Sequence, residues 1–167
     1  MDLDRLTVGE RLVGVGAAVL VAASFLHWLG GDIALTVPGT TRTVSHDQFV
    51  HTAWSFGVTA LAVVLGLGLL VYVTLLAFDL PFLAGVSARS LARPVAVFGV
   101  VTFLLVLLKV VVGANVAAGS FDIPNISGLA IRASYAKTRQ VGAYVGLVAS
   151  ASIATGAILN LRGAATA

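Results

Sequence analysis

The sequence predicts an all-α membrane protein: a four-transmembrane-helix bundle, with either a short extracytoplasmic β-hairpin or an irregular loop between helices 1 and 2. Three observations carry this. Four apolar stretches run through the 167 residues, from Leu12 to Trp28, Thr52 to Phe78, Val95 to Ala118 and Val141 to Leu161. Each is near the roughly 20 residues of helix that cross a bilayer's hydrocarbon core. Hydrophobic residues make up 59% of the chain, charged residues only 10%, and mean hydropathy is +1.04. A soluble domain carries about 25% charged residues, and a chain this short has no core large enough to hide so much apolar surface from water. Finally, Pro38, Pro81, Pro94 and Pro124 all fall in connections between the stretches, where a residue that breaks helices belongs.

The elements follow in order as one transmembrane domain, with helices expected at about 8–29, 46–78, 95–118 and 141–161. Thr7-Val8-Gly9-Glu10 has capping-box spacing, in which hydroxyl and carboxylate satisfy each other's orphan amides, so helix 1 starts near Val8. It ends at Gly30-Gly31. An acidic leader (Asp2, Asp4, Glu10) and a long apolar run mark it as a retained span rather than a signal peptide, whose leader is basic and whose apolar region is shorter. Ala34–Val37 and Thr40–Val44 are rich in β-branched residues and flank Pro38-Gly39, a pair suited to a type II turn; a short hairpin or an irregular loop fits there. Ser45-His46-Asp47-Gln48 repeats the capping pattern, so helix 2 is expected from there to Phe78, roughly 50 Å long at 1.5 Å per residue. Asp79-Leu80-Pro81 ends it. Pro94 stands at the favoured first position of helix 3, and the segment from Gly119 to Gln140 reads as a polar loop before helix 4.

Net charge is +3, too small and dispersed for nucleic-acid binding. The absence of cysteine excludes disulfides, thiol redox centres and cysteine-ligated metals. Lys and Arg in the loops set orientation. The Arg89/Arg93 connection lies close to two membrane ends, and with Arg5, Arg11 and Arg162 it favours a multi-pass protein of the bacterial plasma membrane with both termini cytoplasmic. Arg42, Arg132, Lys137 and Arg139 then fall outside.

Lys109, between Leu108 and Val110, reads as the only charged residue well inside a span. An ammonium in hydrocarbon is costly and usually partnered, so Lys109 is a candidate contact to lipid or to a partner subunit, with snorkelling as the alternative. Gly142, Gly146, Ser150 and Ala154 recur every four residues on helix 4, and such a ridge admits a close helix, either within the bundle or from a partner. Gly113 and Ala117 make a smaller notch on helix 3. His27, Asp32, His46, Asp47 and His51 form an interfacial polar cluster, with Asp47 and His51 on one face if helix 2 starts at Ser45. Histidine–carboxylate clusters can hold a metal or haem, but no metal spacing is present, so no metal or cofactor is expected. Trp28 and Trp54 mark one depth on successive helices, as an aromatic belt does.

The stretch Asp4-Arg5-Leu6-Thr7-Val8-Gly9-Glu10-Arg11 resembles the opening of a group of small actinobacterial integral membrane proteins. Ser24-Phe25-Leu26-His27-Trp28, Ala53-Trp54-Ser55-Phe56 and Gly142-Ala143-Tyr144-Val145-Gly146 with Gly156 are similar to later segments of that group, although His27 stands where a proline is usual. The resemblance implies four membrane helices in an actinobacterial plasma membrane and carries no activity.

No nucleotide loop, nucleophile–base pair or paired catalytic carboxylates occur in the sequence. Helix 1 has no membrane-embedded carboxylate, which argues against small proton-coupled drug exporters. The leading expectation is a non-enzymatic accessory or scaffold subunit of a membrane complex, with the lipid bilayer and either copies of itself or other membrane subunits as partners. One alternative is an oligomeric channel or small-solute transporter, whose pore would need several copies. Another is a haem- or metal-binding redox protein using His27 and His51.

Overall fold

The computed structural model describes residues 6–37, 40–78, 88–112, 119–126 and 129–166. The chain runs α1 (Val8–Ala23), β1 (Leu29–Val37), β2 (Thr40–His51), a 3-10 turn (Ala53–Ser55), α2 (Gly57–Ala77), α3 (Ala88–Val112), β3 (Gly119–Ile126), β4 (Leu129–Arg139) and α4 (Val141–Thr166). Three helical segments are long and apolar enough to cross a membrane: Gly57–Ala77, Ser90–Val112 and Val141–Ala165. With 16 residues, α1 spans about 24 Å at 1.5 Å per residue, short of a full crossing by itself.

The helices pack in a ring, α1 against α2 and α4, and α3 against α2 and α4. At one end the strands form a single antiparallel sheet in the order β2-β1-β4-β3. The first inter-helix segment supplies β1 and β2 and the second supplies β3 and β4, so the β1–β4 pairing, from Leu29↔Arg139 to Thr36↔Arg132, joins two separate loops. These inner strands adjoin α1 and α4, whose contact is the most extensive between helices. A central seam therefore runs through the whole molecule, helix against helix and then strand against strand.

Small residues close the helical part of that seam. A Cβ added at Gly156 would stand 2.5 Å from Gly9 O and 2.9 Å from Val13 N, and one at Gly16 would stand 2.8 Å from Ala149 O. Lipid is as apolar as leucine, so membrane helices gain from such close approach rather than from escaping water. Ser24, Thr59, Thr102 and Ser150 are fully buried. Their hydroxyls donate to nearby carbonyls, Ser24 to Val21 at 2.6 Å, Thr102 to Phe98 at 2.8 Å and Ser150 to Leu147 at 2.9 Å. Among the described residues no buried side-chain polar atom lacks a partner, as a medium without water requires.

Several sequence boundaries shift. The Thr7–Glu10 capping box is present, but α1 stops at Ala23 rather than near residue 29, because the Trp28 backbone is held by strands and α4. The hairpin is present and longer than expected. Ser45-His46-Asp47-Gln48 caps no helix: β2 continues through it, pairing Gly31↔His46 and Leu29↔His51, and α2 begins at Gly57. Asp47 and His51 are thus strand residues, not neighbours on a helical face. α3 starts six residues before Pro94, which lies inside it, where the ring removes one backbone bond. The expected loop 119–140 holds two strands, and α4 runs past Leu161 to Thr166. Pro38-Gly39, Asp79-Leu80-Pro81, Gly113 and Ala117 lie outside the described residues.

Candidate functional site

Most residues singled out in the sequence converge where the sheet meets the helices. Trp28 is at the centre of that junction. It is 1% exposed, and its indole N–H donates to Ala23 O at 2.7 Å. Its backbone N–H donates to His51 O at 2.9 Å, and its carbonyl accepts the Gln140 N–H at 3.0 Å. One residue thereby ties the end of α1 to the end of β2 and the start of α4. Gly142 and Gly146 make room for it: an added Cβ would lie 2.7 Å from Trp28 Cδ1 at Gly142 and 2.5 Å from Cη2 at Gly146. The Gly142 N–H also donates to His27 O at 2.9 Å.

This arrangement bears on two expectations. Trp28 is a core residue rather than part of an aromatic belt, since its ring fills the notch between α1 and α4. Gly142, Gly146, Ser150 and Ala154 are all buried, which accords with the reading of the ridge as a close contact within the bundle. Trp54 differs from Trp28. It is 44% exposed, donates from Nε1 to Ser24 Oγ at 3.1 Å, and stands 6.2 Å from Phe25 between ring centroids. That amphipathic placement suits a membrane–water boundary.

Lys109 lies in the last described turn of α3, three residues before Val112. Its Nζ lies 3.4 Å from the centroid of the Phe56 ring, a cation–π contact that strengthens where water is scarce. The far side of the cluster is His51, edge-on to Phe56 at 5.4 Å. Beside them Arg139, the last residue of β4, donates from Nε to Val110 O at 2.8 Å and from a terminal nitrogen to Val111 O at 3.5 Å. Two cations thus attend the last described turn of α3. The Thr59 hydroxyl donates to Ala53 O at 2.5 Å and lies 3.1 Å from Phe56 O, fixing the turn that carries Phe56.

The polar cluster is divided. His27 is exposed and His51 half-buried. Asp32, His46 and Asp47 lie on β1 and β2, with Asp32 opposite Ser45 and His46 opposite Gly31; their side chains lie outside the described residues. Among the described residues no three His, Asp or Glu side chains converge as a metal site. Sequence reading missed Arg139, Phe56 and Ser24 as members of this junction. For Arg139 a signal existed, since it is the last basic residue before an apolar helix; Phe56 and Ser24 gained their roles only through packing.

No protein-family model matches the chain, and no curated protein matches it significantly. The geometry of the junction is therefore the main guide to what it does. It couples both hairpins mechanically to the helices and places cations at the level where apolar helices give way to the sheet.

Proposed function

We propose that this chain is a multi-pass bacterial plasma-membrane protein crossing four times, both termini cytoplasmic, and acting as a non-enzymatic scaffold subunit of a membrane complex. The observation that carries the reading is the β1–β4 pairing, which makes one four-stranded platform out of two loops. A platform anchored through Trp28 to four packed helices is suited to holding a partner at a fixed height above the bilayer. Ser24 and the Trp28–His51 bond complete the path of α1 from the lipid to the sheet.

Two measurements test the proposal. Because the chain has no cysteine, single cysteines at Ser45 and Ser134 give clean topology probes. Both are expected to react with a membrane-impermeant maleimide from outside, while one at Ser90 stays protected in intact cells; labels on opposite sides contradict the topology. Purification in mild detergent is expected to bring down a stoichiometric subunit, either a second copy or another membrane protein. A monomeric particle that retains nothing contradicts the scaffold role.

A further inference from the structure

At the end of the helices opposite the sheet, all four helices open onto one cavity of about 460 Å³. We infer that this cavity binds an organic ammonium ion with an apolar body, the charge received by Glu10 and the body by Tyr72 and the aliphatic wall. The wall comes from α3 and α4, through Ala92, Val95 and Leu159, with Asn160 beside Glu10. Among the described lining residues, Glu10 is the one that carries a formal charge. Arg11, Arg93 and Arg162 occupy the same end but are exposed, and none lines the cavity.

The capping box explains how a carboxylate is held there. Thr7 N–H and Oγ1 both bond Glu10 Oε2, at 2.7 and 2.9 Å, and Thr7 Oγ1 is 2.8 Å from Asn160 Oδ1. Oε2 is thus fixed by the cap. Tyr72 lines the same cavity as Glu10, so carboxylate and aromatic ring address one space. An apolar pocket of a few hundred Å³ with few convergent polar groups is the usual form of a small-molecule site, and a carboxylate beside an aromatic face selects a cation.

The test uses the full chain in nanodiscs of zwitterionic lipid, with benzyltrimethylammonium as probe in equilibrium dialysis. Neutral benzyl alcohol and anionic benzenesulfonate serve as comparisons. Saturable binding of the cation is expected, with neither comparison competing. Glu10→Gln is expected to weaken binding about tenfold or more, the loss of one well-placed charge contact, without loss of fold because glutamine also completes a capping box. Tyr72→Leu leaves the carboxylate in place and is expected to weaken the cation severalfold. Absence of saturable binding, equal binding by Glu10→Gln, or benzenesulfonate binding as tightly as the cation overturns the inference.

Discussion

The inner helices α1 and α4 and the outer helices α2 and α3 solve the same problem differently. α4 has a mean hydropathy of 1.6 in its most apolar window, half of which is buried; α2 and α3 reach 2.6 and 2.8 with only a third buried. The less apolar helix is the better packed one. It exchanges leucine and valine for glycine, alanine and serine, and so meets α1 backbone to backbone. The outer helices present large side chains such as Leu61, Val64, Leu104 and Leu108 outward, where lipid is the expected neighbour. Hydropathy along these helices therefore reports exposure to lipid, while the spacing of small residues reports contact with protein.

Substitutions at glycines break this contrast most sharply. Gly156→Val drives a side chain into the backbone of Gly9 and Val13 and is expected to cost about 3 kcal/mol or more, whereas Gly68→Val, with open space at its Cβ position, is expected to change little. Thermal unfolding in detergent compares them directly. Trp28→Ala removes the ring that fills the upper seam, with an expected loss of about 3–5 kcal/mol in the same assay. At the edge of the outer pair, Lys109→Met keeps the stem and removes the cation over Phe56. The expected cost is about 0.5–2 kcal/mol, and in a double-mutant cycle Phe56→Leu should abolish most of the effect of Lys109→Met. Smallest is Thr7→Ala, at about 1 kcal/mol for a lost helix cap, read as fraying of α1 in hydrogen exchange.

The spans of α2, α3 and α4 were legible because a membrane helix declares itself through uninterrupted hydropathy. So was the capping box of α1, a strictly local device. The sheet was legible only in part. Thr40–Val44 showed its β-branched run, but Ser45–Gln48 carries a helix-start pattern that pairing with β1 overrides, and that pairing depends on residues far along the chain. Leu129, Ile131, Ala133 and Tyr135 alternate as strand residues do, yet Arg132, Lys137 and Arg139 gave the segment the composition of a loop. The helix 4 ridge was visible as a motif, while its occupant was not: a tryptophan more than a hundred residues earlier fills it.

The central claim is that two loops far apart in sequence form one sheet. The cysteine-free chain allows a direct measurement with the double substitution Ala34→Cys/Ser134→Cys, whose positions face each other across β1 and β4. Paired residues of antiparallel strands have Cα atoms about 4.5–5.5 Å apart, within disulfide reach. Ala34→Cys/Thr43→Cys, opposed within the first hairpin, serves as the reference. Mild oxidation in native membranes is expected to cross-link both pairs, seen as reducible mobility shifts. Cross-linking of the hairpin pair alone, with the 34–134 pair remaining free thiols, contradicts the account.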